Sequence, residues 1–176
     1  MSNYKDSYIE QFAMDLRKVL DVKTPIEPKK IVQQLGGKIK MLEPDNDKEA
    51  KIEKSGDSFE IYIGDNTPSN REKFSIAHEI GHLFLHMGYL IDKDKWEKVG
   101  NYKDSVMYRY GYSVEEKEAN QFAGALLMPK DEFFTVAESC LDNDSYTLKP
   151  IADHFKVSVD AVKMRGRYLG LFSWDS

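Results

Sequence analysis

The chain has 176 residues, 41% hydrophobic and 31% charged, which suits one domain, or one domain with a small appendage, and allows a real buried core. A net charge of −5 argues against a general attraction to nucleic acid or to an anionic membrane. No apolar run is long enough to cross a bilayer, the charged amino-terminal stretch lacks a signal-peptide core, and the single cysteine, Cys140, suits a reducing compartment, so a cytoplasmic protein is expected.

In chain order, Ile9, Phe12, Ala13, Leu16, Val19 and Leu20 recur at helical intervals and predict an amphipathic first helix. Pro25 and Pro28 open a shorter helix through Ile31, Val32 and Leu35, stopped by Gly36 and Gly37. KIKMLE reads as extended. EAKIEK and SFEIYIG flank SGD, with Phe59, Ile61 and Ile63 alternating with Glu60 and Tyr62, which predicts a hairpin with one buried face. Ser69 and Glu72 have capping-box spacing for a helix that runs through FSIAHEIGHLFLH and ends near Gly88. A polar stretch with Trp96, Tyr102, Tyr108, Tyr110 and Tyr112 follows. VEEKEANQFAGALLM predicts a second strong helix ending before Pro129, and PKDEFFTVAESCL a further one. The closing unit, LKPIADHFKVSVDAVKMRGRYLGL, reads as two short helices joined at KVS, with Ser158 capping the second. Helices, a small sheet, then helices make an α+β chain.

Three of the four histidines fall in one apolar stretch. A buried imidazole needs a partner, so that crowding asks for something to bind. His78 and His82 are four apart and share one helix face, separated by about 6 Å of rise and roughly 40° of rotation. With Glu79 they form the pattern H-E-x-x-H. Two neutral imidazoles and a third protein ligand hold Zn²⁺ with a position left for water. Zinc lowers the pKa of that water to about 7, and Glu79 can take its proton as it attacks a carbonyl. Gly81 keeps the helix surface low where another element or the substrate approaches. His86 lies about 12 Å along the axis from His78, too far for both to share an ion, and reads as a residue behind the ligands or a packing residue.

The third donor is sought on the second strong helix. Its apolar face is Ala119, Phe122, Ala123, Leu126 and Leu127, and Glu116 extends that face backward. A carboxylate pointing into the core must be paired or bind a metal. Asn120, one turn on, could orient a ligand. Two alternatives stay open: Ser113 and Glu116 have capping-box spacing, and Glu118 competes as the ligand, although Glu115 and Gln121 place it nearer the polar side.

REKFSIAHEIGHLFLH followed by EKEANQFAGALLMP resembles the ImmA/IrrE family of zinc-dependent peptidases over roughly residues 25–170. The resemblance implies a zincin-like fold, with a small sheet packed on the H-E-x-x-H helix. On that basis residues 1–147 form the metallopeptidase domain and residues 148–176 a helical unit packed on it. It makes His78 and His82 metal ligands, Glu79 the general base, and the glutamate four before the asparagine, Glu116, the third ligand. It also implies cleavage of a partner transcriptional repressor of helix-turn-helix type, in phage or mobile-element gene control.

The closing unit could itself be a helix-turn-helix, with five basic and two acidic residues between Lys149 and Gly170. That excess is ordinary for a solvated helix pair, so docking onto the core or a partner fits better than DNA binding. His154 reads as a partly exposed helix residue. The four tyrosines join the two metal helices, where one hydroxyl could donate to an oxyanion and the others pack. Two rival functions fit the same motifs: a non-catalytic zinc-fold regulator acting by contact, and a zinc-dependent toxin restrained by a partner.

Overall fold

Helical periodicity at the amino terminus becomes a buried stripe in the structure, a computed structural model that describes residues 4–42, 50–65, 67–100 and 113–173. Helix α1, Asp6–Val19, buries Ile9, Ala13 and Leu16. Helix α2, Pro28–Gln34, starts with Pro28 in its first turn, where the missing N–H costs nothing. The sheet follows: β1 Lys38–Met41, β2 Ala50–Ser55 and β3 Ser58–Ile63, in the order β1-β3-β2. β1 runs parallel to β3 with Ile39 opposite Ile61, and β2 runs antiparallel with Ile52 opposite Ile61. The period of two puts Ala50, Ile52, Phe59, Ile61 and Ile63 in the core. The outer face carries Lys40, Glu60 and Tyr62, joined by the Lys40–Glu60 ion pair at 2.8 Å and the Tyr62 hydroxyl donating to Glu60 at 2.8 Å.

Helix α3, Ser69–Gly81, packs on β2, β3 and α5 (Val114–Leu127). Its start differs from the capping box expected. Pro68 occupies the cap position and Ser69 is already helical, so no side chain caps the end. A turn of π-helix, His82–His86, continues α3 up to Gly88, whose φ of +77° ends the rod. A short helix that the polar pattern did not reveal, α4 (Lys93–Lys98), is capped by the Asp92 carboxylate accepting from Lys95 N–H at 3.0 Å.

Beyond α5, α6 spans Lys130–Ser139, and a two-residue hairpin, β4 Leu141–Asp142 with β5 Ser145–Tyr146, turns through Asn143 and Asp144 at positive φ. Helices α7, Leu148–Phe155, and α8, Val159–Tyr168, close the fold, and Ser158 Oγ accepts from Ala161 N–H at 3.1 Å as the α8 cap. Arg165 on α8 is 1% exposed; its Nε donates to Met128 O at 2.9 Å and its fork grips Glu10 of α1. Among the described residues, no helix is long and apolar enough to cross a membrane.

Candidate metal centre

Ile76, Ala77 and Ile80 are buried, which anchors one face of α3 and turns His78 and His82 toward α5. The two helices approach closely at Gly81. A Cβ there would lie 3.1 Å from Ala119 Cα and 3.2 Å from Ala119 O, so the element for which Gly81 makes room is α5. Ser113 starts α5 by accepting from Glu116 N–H at 3.1 Å. The capping and metal readings of Glu116 therefore coexist: its backbone serves the cap and its side chain is free to serve the histidines.

Glu116 Oε2 is 3.1 Å from His78 Nε2, Glu116 Oε1 is 3.1 Å from His82 Nε2, and the two Nε2 atoms are 3.0 Å apart. Donors about 2.05 Å from a tetrahedral zinc stand about 3.3 Å from one another. Two imidazole nitrogens and a carboxylate at these separations therefore fit a small divalent ion with little movement. Among the described residues, this is the one group of three such side chains so placed. Cys140 and His154 lie outside it; His154 Nε2 instead meets Glu132 at 2.9 Å on the surface.

The cluster's electrostatics match that donor set. Burial alone would raise the Glu116 carboxyl, yet hydrogen bonds from His78 and His82 hold it down at about 2. Burial opposes the charged ring of His78, but the Glu116 hydrogen bond and the Glu79 charge outweigh it and raise its pKa. Burial keeps His82 below the ordinary value. A field that draws positive charge between ring and carboxylate would draw a metal cation too. Glu79, 2% exposed, is the next residue after His78, and its charge acts on both imidazoles.

His78 Nδ1 faces Asn120 Oδ1 at 2.8 Å, so Asn120 orients one imidazole from α5. His82 Nδ1 faces His86 Nδ1 at 2.8 Å. His86, four residues on, shares the helix face of His82, and the turn that carries it closes with an i→i+5 bond, Met87 N–H to His82 O at 2.9 Å. Burial pushes His86 down to about 3, with the Lys95 charge adding to the effect.

Glu118 is absent from the donor group. It is 4% exposed, and its Oε2 meets His86 Nε2 at 2.9 Å. Its placement near a polar side misjudged this face: Glu118 and Gln121 are both buried, on a helix against which α1 packs. Helical facing within α5 could not reveal that cover. Tyr102, Tyr108, Tyr110 and Tyr112, considered for the oxyanion, lie outside the described residues.

The model of the M78 peptidase family, described as the IrrE N-terminal-like domain, matches residues 38–166. The chain belongs to this family. The match contains His78, Glu79, His82 and Glu116 and begins after α1 and α2. Membership supports a metallopeptidase-type function, and the ImmA/IrrE likeness read from the two motifs is the same family. Among solved structures, a Mycobacterium tuberculosis transcriptional regulator is similar at 19% identity and a TM-score of 0.57. The likeness covers 91% of this chain and 45% of that one, so the present chain spans less than half the regulator's length. At that identity it shows the fold, an α+β zincin-like arrangement. No curated protein matches.

Proposed function

We propose that this M78 family member is a cytoplasmic zinc-dependent endopeptidase that hydrolyses a peptide bond in a partner protein, a helix-turn-helix transcriptional repressor of phage or mobile-element type. The observation that carries the reading is the meeting of His78, His82 and Glu116 at 3.0–3.1 Å, with Glu79 buried beside them. A bound zinc ion would supply Lewis acidity, polarising water and the scissile carbonyl. His78, His82 and Glu116 would hold it. Glu79 takes the proton as water adds to the carbonyl carbon, then gives it to the departing amine nitrogen, so that the peptide C–N bond breaks and no proton is left over. A repressor as substrate is supported by the ImmA/IrrE likeness, and the similar structure is itself a transcriptional regulator.

Direct DNA binding is outside this proposal. Of the basic residues in the closing unit, Arg165 is buried against Glu10 and Lys149 pairs with Asp153, which leaves little concentrated positive charge. Glu79→Gln tests the proposal. With a helix-turn-helix repressor that the wild type cleaves as substrate, the variant keeps its zinc and cleaves about 10²–10⁴-fold more slowly. Cleavage at the wild-type rate with zinc bound refutes the mechanism, and an unchanged regulatory output without cleavage favours a regulator that acts by contact.

A further inference from the structure

Behind the donor trio runs a line of buried polar groups to which proton transfer by Glu79 assigns no part. His82 Nδ1 meets His86 Nδ1 at 2.8 Å, His86 Nε2 meets Glu118 Oε2 at 2.9 Å, and Tyr4 N–H donates to Glu118 Oε1 at 2.6 Å. His82, His86 and Glu118 are 1%, 6% and 4% exposed. With Glu118 ionised, the direction of every bond follows from the end of the line. A backbone N–H only donates, so Oε1 of Glu118 accepts. The other carboxylate oxygen accepts as well, so His86 Nε2 carries the hydrogen. In a neutral ring His86 Nδ1 is then the acceptor, and His82 Nδ1 must donate to it. That leaves the lone pair of His82 on Nε2, the atom that faces Glu116 and His78.

We propose that Glu118 and His86 are positioning residues which, anchored by the Tyr4 amide, hold His82 in the one neutral tautomer able to bind a metal through Nε2. The proposal rests on the metal-centre reading above. It draws on a part of the chain outside the family match, which begins at residue 38. Tyr4 is fastened twice, because its hydroxyl also donates to Leu85 O at 3.0 Å, inside the π turn. Tyr4, Tyr8, Phe12 and Phe84 form a ladder of rings with centroids 5.2, 6.1 and 5.4 Å apart, which ties α1 to the histidine rod. The amino-terminal arm is thus a buttress for the metal site.

Chelator competition on the full chain measures zinc affinity in wild type, Glu118→Gln, His86→Leu and the double variant, with circular dichroism reporting the fold. Glutamine keeps the shape but must set its NH₂ against either the His86 or the Tyr4 donor. Each single variant should lose about 10–100-fold in zinc affinity. The double variant should be no weaker than His86→Leu, since Glu118 acts only through His86. In zinc-loaded wild type with ¹⁵N-labelled histidine, NMR should find the hydrogens on His82 Nδ1 and His86 Nε2. Equal affinities, additive losses, or a hydrogen on His86 Nδ1 overturn the relay and leave the donor trio standing. A wild-type protein that takes up no zinc overturns the metal centre itself, and the relay with it. The NMR result decides even where a variant fails to fold.

Discussion

Gly81→Ala probes whether the approach of α3 to α5 sets the donor spacing. The added methyl carbon would stand 3.1 Å from Ala119 Cα and 3.2 Å from both Ala119 O and Phe122 Cδ1, where ordinary contact begins at 3.4 Å. Two of these neighbours are backbone atoms of the helix that carries Glu116, so relief requires α5 to move by a few tenths of an ångström. The exchange gains about 1 kcal/mol of helix propensity. Overpacking costs about 1–3 kcal/mol. The net is a loss of up to about 2 kcal/mol, which for a chain of this size lowers the unfolding midpoint by about 4–8 °C. Metal donors tolerate displacements of about 0.2 Å, so zinc affinity should fall as well, by about tenfold. Thermal unfolding by circular dichroism and chelator competition read the two effects. A midpoint raised by the propensity gain, with zinc affinity unchanged, refutes the idea that this glycine spaces the metal helices.

Metal removal and ligand loss should coincide: zinc at a hundred times its Kd adds about 2.7 kcal/mol, or about 5–10 °C, and chelator, His82→Ala or Glu116→Ala should each abolish that gain in a zinc-dependent melt. Equal zinc content in wild type and both variants removes the ligand set. Glu10→Ala strands the guanidinium of Arg165, which is 1% exposed, and should cost about 3–5 kcal/mol by denaturant unfolding. Arg165→Met should cost less, since the Glu10 side chain, 23% exposed, can turn to water; the reverse order contradicts the buried-pair account. Tyr62 is pushed up to about 12, first by its hydrogen bond to Glu60 and then by burial. Because the folded value lies above the unfolded one of about 10, its contribution to stability is whole below pH 10 and fades as pH rises toward 12. Tyrosine ¹³C NMR should find the Tyr62 ring ionising well above an ordinary tyrosine, and Glu60→Gln should bring it down.

Periodic elements were legible because their signals are local. The stripe of α1, Pro28 at the start of α2, the alternation of β3, and Ser158 ahead of α8 each say what the chain does within a few residues. The two histidines four apart and the inward-facing Glu116 belong to the same class, since a helix alone fixes which side chains share a face. Short elements were not legible. α4 and the β4–β5 hairpin are too brief and polar to show a period, although Asn143 and Asp144 supply the turn chemistry. The π turn, the contact at Gly81 and the burial of Glu118 could not be read at all. The last two depend on segments distant in sequence: α5 against Gly81, Tyr4 against Glu118. The residues by themselves therefore determined which groups could bind a cation. Tertiary packing decided how far apart those groups stand and what holds them there, because distance and cover are properties of two surfaces meeting, and neither is written along one strand of sequence.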